Sequence, residues 1–156
     1  LFTLRNGRLA ELQAGQGFCY AEKALYCRAG QIAPMHRHLC KVEDIIVRGD
    51  GVLGLELHPD RDGVPDRQCG VRVLCDGLWR ETGADGRLDL HPGESVTLTP
   101  DIWHAFWGEG GPVVLGEVSS VNDDVTDNLF EEPMPRFPTV EEDVPATVPL
   151  VSDRLR

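Results

Sequence analysis

Apolar residues along this chain occur in short runs, and many of them alternate with polar residues. Glycine (17 residues) and proline (11 residues) interrupt these runs repeatedly. Short alternating runs between turn-forming residues are typical of an all-β sandwich or barrel. Short helices are predicted only near residues 3–14 and 121–131. The predicted strands are, in chain order, 24–29, 43–49, 52–58, 71–81, 87–90, 94–100, 103–109 and 112–120.

Turn signals separate these strands. Asp76-Gly77 lies inside the fourth predicted strand with apolar residues on both sides, and this dipeptide favours a two-residue hairpin turn. The stretches "HPGE" (91–94) and "GEGG" (108–111) predict further turns. Residues 59–70 are polar and rich in turn formers, so we expect a surface loop there.

The length and composition predict one domain. A chain of 156 residues with 41% hydrophobic residues is long enough to bury a single core. Prolines recur after Glu131 and disfavour regular structure in that part of the chain. We therefore expect a single domain over 1–156, with a barrel core at about 20–120 and a loop and tail at 121–156 that covers the barrel mouth.

The charge and the cysteines restrict the partners and the compartment. A net charge of −11 disfavours nucleic acid and anionic membrane as partners, and it suits a neutral small molecule or a cation. No apolar run approaches the roughly 20 residues of a membrane span, and no secretory leader is visible. The five cysteines form no C-x-x-C pair, so we expect free thiols in a reducing cytoplasm.

The stretch "HRHLCKVED" (36–44) holds the first candidate metal ligands. In a strand, His36 and His38 share a face. A tight turn over 39–42 would let Glu43 begin the returning strand, inward-facing together with two apolar residues of the same parity. A carboxylate in an apolar interior is costly unless it is paired or binds a cation. The competing interpretation is a solvated polar loop.

His104 is the predicted fourth ligand, because it begins an aromatic strand in "TPDIWHAFW". His58 and His91 stand beside prolines at strand ends, where we expect them to face solvent. Three imidazoles and one carboxylate suit a divalent ion such as Mn²⁺, Fe²⁺, Co²⁺, Ni²⁺ or Zn²⁺.

The spacing of these residues resembles the two motifs of the cupin superfamily. The first motif is matched by Gly30, His36, His38, Glu43 and Gly49. The second motif is matched in part by Gly93, Pro100 and His104. It departs from the family in two places: no glycine follows Pro100 in the turn, and Gly108 stands where the motif has an asparagine.

Four stretches in order are similar to the D-lyxose isomerase family of cupins: "HRHLCKVEDIIVRG", "LHPGESVTLTPDIWHAFWGE", "LGEVSSVNDDVTDN" and "RFPTVEED". This resemblance implies a cupin barrel, that is, a double-stranded β-helix or jelly roll with few short helices. It also implies a homodimeric, metal-dependent aldose–ketose isomerase that uses Mn²⁺. The implied sugars are D-lyxose with D-xylulose, and D-mannose with D-fructose.

Such a reaction moves a hydrogen between C1 and C2 of an open-chain sugar, through an enediol or enediolate if a base carries the proton. Lys41 lies two residues from Glu43, within reach of the metal if the turn directs it there. Glu117 faces inward by strand parity, either as a structural buried carboxylate or as part of the site. Phe106 shares a face with His104 and is predicted to contact substrate.

The resemblance adds three residues of the loop and tail, namely Asp127, Glu141 and Arg136. We predict Lys41 and Glu141 as the proton-transfer pair, with Asp127 and Glu117 positioning hydroxyls. Arg136 would grip a sugar hydroxyl or pair with an acid. A hydride shift without a base stays open.

Two other functions fit parts of the same pattern. A metal-dependent cupin oxygenase would use the same four ligands with Fe²⁺ and O₂, but it would not need the lysine and the two tail acids. A sugar-binding cupin without turnover would keep the pocket and dispense with the metal.

Overall fold

In a computed structural model, the described part of this protein forms two antiparallel β-sheets and one short helix. The structure describes residues 1–123, 125–134, 143–145 and 147–148. Among these residues, no helix has the length and apolar character needed to cross a membrane. The all-β prediction is confirmed.

The helix is α1 (Leu9–Gln13), and the strands are β1 (Phe2–Asn6), β2 (Tyr20–Cys27), β3 (Ile32–His38), β4 (Glu43–Val47), β5 (Val52–Arg61), β6 (Val64–Pro65), β7 (Arg72–Cys75), β8 (Leu78–Glu81), β9 (Arg87–Leu90), β10 (Ser95–Leu98), β11 (Ile102–Glu109), β12 (Val113–Ser120) and β13 (Asn128–Phe130).

The strands form a seven-stranded sheet in the order β1-β2-β12-β4-β10-β7-β8 and a six-stranded sheet in the order β13-β3-β11-β5-β6, with β9 paired to β5. The core lies between the two sheets because alternate residues of each strand face inward. In β5, for example, Leu53, Leu55 and Leu57 are fully buried in the core. Gly54 and Glu56 lie on the opposite face of that strand.

The Asp-Gly hairpin prediction is confirmed. Asp76 and Gly77 connect β7 and β8, and both have left-handed backbone angles, with φ of 50° and 81°. These angles are those of a type I′ turn, whose twist matches the twist of paired strands. The prediction of a loop at 59–70 is wrong in part, because β5 continues to Arg61 and forms a second hairpin with β6; residues 66–70 are a loop.

The first helix prediction fails in part, and the second fails for the described residues. Residues 2–6 pair with β2 as strand β1, so only the second half of the predicted segment 3–14 is helical. Within 121–131, the described residues contain a turn and β13 rather than a helix. In both segments, pairing with the edge of a sheet overrides a weak local preference.

The structure shows why Gly108 replaces the asparagine of the second cupin motif. A Cβ atom at this position would lie 2.1 Å from the carbonyl oxygen of Gly111. The tight connection between β11 and β12 therefore leaves no room for the asparagine that the motif has there.

Candidate active site

A β-bulge in β3 directs the first two histidines toward the interior. His104 of β11 pairs with His36, but Phe106 pairs with Ala33, so β3 has one residue more than β11 between these pairs. The extra residue falls at Pro34–Met35, and a bulge tolerates proline because one ladder hydrogen bond is lost there in any case.

The three imidazoles converge on one point. One ring nitrogen each from His36, His38 and His104 lies within 4.8 Å of the other two. The Nδ1 atom of His36 is 2.7 Å from the carbonyl oxygen of Pro34, and that of His104 is 3.1 Å from the carbonyl oxygen of Ile102. Carbonyl oxygens only accept, so both Nδ1 atoms carry the proton and both Nε2 atoms present a lone pair.

Glu43 brings a carboxylate to the same point. Its Oε1 atom lies 3.2 Å from His38 Nε2 and 3.1 Å from His104 Nε2. The prediction that Glu43 begins the strand after a turn and faces inward agrees with its burial and with its place at the start of β4.

The donor set fits a divalent cation. His104 Nε2 is buried and has no hydrogen-bond partner among the described residues, although Glu43 Oε1 is close to it. In the tautomer set by Ile102, both atoms are acceptors, and a cation between them would satisfy both. Three imidazole nitrogens and one carboxylate are the ligands that Mn²⁺, Fe²⁺, Co²⁺, Ni²⁺ and Zn²⁺ accept.

Electrostatics keep these groups in the form that binds a metal. Burial, and next the neighbouring His104, lower the pKa of His36 well below its ordinary value, so the imidazole stays neutral. Burial alone would raise the pKa of Glu43. The ammonium of Lys41, 2.6 Å from Glu43 Oε2, favours the carboxylate, and the pKa of Glu43 lies well below its ordinary value.

Lys41 lies directly beside the four candidate ligands. It is buried, and its Nζ atom is 2.6 Å from Glu43 Oε2 and 3.1 Å from Glu117 Oε1. Burial by itself would lower the pKa of Lys41, but these two carboxylates outweigh burial and raise it. Lys41 is therefore an ammonium that donates hydrogen bonds.

Asp127 orders the turn that carries Lys41. Its two carboxylate oxygens accept hydrogen bonds from the backbone amides of Cys40 (2.7 Å) and Lys41 (3.1 Å). Its Oδ2 atom is also 3.8 Å from Nδ1 of His38. The turn between β3 and β4 is thus fixed by a side chain that follows Cys40 by 87 residues and Lys41 by 86.

The remaining predicted residues lie in different places. Phe106 faces inward like His104, since the two pair with Leu55 and Leu57 of β5, and it packs in the apolar core. Glu141 and Arg136 lie outside the described residues. The expectation that His58 faces solvent is wrong: it is buried, because β5 extends past it and its Nε2 contacts Glu56 Oε1 at 2.8 Å.

Two residues of the site escaped the sequence reasoning. Lys23 Nζ donates to Glu117 Oε1 and to Asn122 Oδ1, both at 2.8 Å. Its parity in β2, shared with buried apolar residues, was a usable signal for an inward-facing lysine. Phe130 of β13 stacks on His36 with ring centroids 5.3 Å apart, and no local pattern predicted that contact.

This chain is similar in sequence to known proteins over its whole length. The family model described as D-lyxose isomerase matches residues 1–154. A D-lyxose/D-mannose isomerase of Serratia proteamaculans is 49% identical over 160 residues, which covers all of this chain and 68% of that protein. One of Escherichia coli O157:H7 is 43% identical over 155 residues, covering 98% of this chain and 67% of the relative.

Solved structures agree on the fold. The L-ribose isomerase of Cellulomonas parahominis, solved with L-psicose, has a TM-score of 0.57 at 18% identity and covers 82% of this chain and 67% of its own. The L-ribose isomerase of Geodermatophilus obscurus has a TM-score of 0.57 at 17% identity, with the same coverage. The cupin barrel, the family resemblance and the class of sugar isomerase predicted from the sequence are confirmed.

Proposed function

Since this chain belongs to the D-lyxose isomerase family, we propose that it interconverts D-lyxose with D-xylulose, and D-mannose with D-fructose. The observation that carries the proposal is the convergence of three imidazoles and the Glu43 carboxylate beside the buried ammonium of Lys41. A neutral sugar suits a chain whose net charge is −11, because no anionic group has to be brought to it.

His36, His38, Glu43 and His104 would hold a divalent metal ion. We propose Mn²⁺, with Co²⁺, Ni²⁺, Fe²⁺ and Zn²⁺ as ions that the same donors would accept. When bound, such an ion supplies a Lewis acid that polarises the sugar carbonyl.

Lys41 and Glu141 are the proposed proton-transfer pair. An ammonium has no lone pair, so Lys41 would donate a hydrogen bond to a sugar oxygen as negative charge develops there. A carboxylate must then serve as the base. We assign this role to Glu141: it would take the proton from C2 of the aldose, leaving an enediolate, and return it to C1. The hydroxyl proton of O2 would pass to O1 in the same conversion, which gives the ketose.

Glu117 and Asp127 are proposed to position the reacting groups. Glu117 accepts hydrogen bonds from Lys23 and Lys41, and Asp127 accepts one from the backbone amide of Lys41. Both acids therefore fix the Lys41 ammonium, and we propose that both position sugar hydroxyls beside it. Arg136 and Phe106 are proposed to bind the substrate. The single domain over 1–156, the homodimer and the cytoplasmic location stay predictions.

Metal-dependent ketose formation tests the proposal. We expect the chelated protein to be inactive and added Mn²⁺ to restore conversion of D-lyxose and D-mannose, measured with a ketose assay alongside L-ribose. His104→Ala should bind less Mn²⁺ and lose at least about 100-fold in activity, because one ligand of four is removed. The matched control is His91→Ala, which removes an exposed histidine of a turn.

Failure on all three sugars with Mn²⁺ bound would refute the isomerase proposal. Equal Mn²⁺ binding by His104→Ala and the wild type would remove His104 from the ligand set. Loss of activity in His91→Ala as well would show that the effect is not specific to the site.

A further inference from the structure

A second polar cluster lies on the outer face of the six-stranded sheet, behind the histidines. The Nε1 atom of Trp103 donates to Asp60 Oδ1 at 2.7 Å, and Arg37 Nε lies 3.2 Å from the same oxygen. Arg37 also donates through Nη1 to the carbonyl oxygen of Pro100 (3.1 Å), and its guanidinium lies 5.6 Å from the centre of the Trp103 ring. One carboxylate thus joins a tryptophan to an arginine, and we call these three residues the outer clamp.

The outer clamp connects directly to the strands that carry the candidate ligands. Arg37 stands between His36 and His38 in β3, and Trp103 precedes His104 in β11. Successive residues of a strand point to opposite faces. The contacts that fix Arg37 and Trp103 on the outer face therefore also fix the backbone of β3 and β11, from which the three imidazoles project inward.

The clamp lies where the ladder between β3 and β11 ends. The pairs of these two strands are Trp107 with Ile32, Phe106 with Ala33 and, after the bulge, His104 with His36. Beyond this last pair, Arg37 and Trp103 meet through Asp60, which belongs to β5 on the other side of β11. Three neighbouring strands are therefore tied at the level of the ligands.

The environment makes these contacts effective. Trp103 is 1% exposed, and the side chains of Arg37 and Asp60 are 17% and 23% exposed. An ion pair that is largely shielded from water is stronger than one that is fully exposed. Asp60 also accepts from the backbone amide of Gly63 at 3.3 Å, which connects it to the turn before β6.

We propose that Asp60 is a positioning residue for the metal centre. It acts through Arg37 and Trp103 and keeps β3 and β11 in the register that brings His36, His38 and His104 together. The proposal rests on the metal centre of the proposed function.

The chain contains a matched control at the other end of β11. Glu109 Oε2 accepts from Trp107 Nε1 at 2.8 Å and from Arg87 at 2.7 Å, and the Arg87 guanidinium lies 4.9 Å from the Trp107 ring centre. The chemistry is that of the outer clamp. Arg87 belongs to β9, which carries none of the four candidate ligands.

Manganese titration separates the two clusters. The wild type, Asp60→Asn, Arg37→Lys and Glu109→Gln are stripped with chelator, and the dissociation constant for Mn²⁺ is measured by the EPR signal of the free ion. We expect Asp60→Asn and Arg37→Lys to bind about 3- to 10-fold more weakly, somewhat less than the loss of a group bonded directly to a ligand. Glu109→Gln should stay within about twofold of the wild type.

A positioning defect also has a kinetic signature. Excess Mn²⁺ should return the kcat of Asp60→Asn close to that of the wild type, while the Mn²⁺ concentration for half-activation stays raised. Thermal unfolding checks that every variant is folded at the assay temperature. If Asp60→Asn does not fold, the Mn²⁺ affinity of Arg37→Lys tests the proposal.

Three outcomes would overturn the inference. The first is wild-type affinity in both outer-clamp variants, and the second is an equal loss in Glu109→Gln. The third is a wild type that binds no Mn²⁺, and this result refutes the proposed metal centre itself. The first two leave the metal centre intact, so the two failures are distinguishable.

Discussion

Two buried lysines share one carboxylate oxygen beside the candidate ligands. Glu117 Oε1 lies 2.8 Å from Lys23 Nζ and 3.1 Å from Lys41 Nζ, and Glu43 contacts Lys41 from the other side. All four side chains are nearly inaccessible to water. Their charges sum to zero, which is the condition under which a buried ionic network is tolerated. Without Lys23, the other three side chains would carry a net charge of −1.

Replacing Lys23 with methionine should destabilise the chelated protein by about 3 kcal/mol, because the buried network then carries an uncompensated negative charge. Adding Glu117→Gln to this variant restores the balance. The double variant should therefore be more stable than the sum of the two single changes predicts, by about 1–3 kcal/mol. Urea unfolding followed by tryptophan fluorescence measures all four proteins of this cycle, and strict additivity would contradict the charge-balance argument.

At the scale of elements, the sequence predicted those parts whose signal is local. Alternating apolar residues predicted most of the strands, and the parity of Glu43 and the turn before it agree with the structure. The sequence could not predict β13 at the edge of β3, because Phe130 meets His36 only through the fold. The bulge at Pro34–Met35 also depends on the pairing with β11. Asp62-Gly63 is the same turn-forming dipeptide as Asp76-Gly77, but the residues on both sides of it are mostly polar and do not predict strands.

The hairpin between β7 and β8 depends on Gly77. Its φ of 81° is unfavourable for any residue with a Cβ, so Gly77→Ala should cost about 1 kcal/mol and lower Tm by about 2–4 °C. Gly111→Ala is the matched control, since a Cβ there meets nothing within 4 Å and the φ is not left-handed. Calorimetry compares the two, and equal Tm values would mean that the turn tolerates alanine.

At the scale of the whole molecule, two electrostatic effects act in opposite directions as the pH falls. The net charge of −11 at pH 7 makes the folded chain repel itself, and protonation down to the isoelectric point near 4.8 relieves that repulsion. Meanwhile Arg80 lowers the pKa of Glu94, and Arg67 lowers the pKa of Glu131, through direct hydrogen bonds. A carboxyl group whose pKa is lower in the folded state stabilises that state only while it is ionised.

The sign of the second effect follows from the direction of these shifts. The unfolded glutamates titrate near their ordinary pKa of about 4.3, and the folded ones titrate lower, so stability from these pairs is complete above that value and is lost as the pH falls through the folded pKa. We expect the urea midpoint of the chelated protein to change little between pH 7 and 5 and to fall steeply below about pH 4.5. Arg67→Gln removes the bidentate ion pair with Glu131 (2.6 and 2.8 Å). This variant should have a lower urea midpoint than the wild type at pH 7, and its midpoint should fall less on acidification. A midpoint that stays constant down to pH 3.5, or an Arg67→Gln drop as large as that of the wild type, would contradict the linkage.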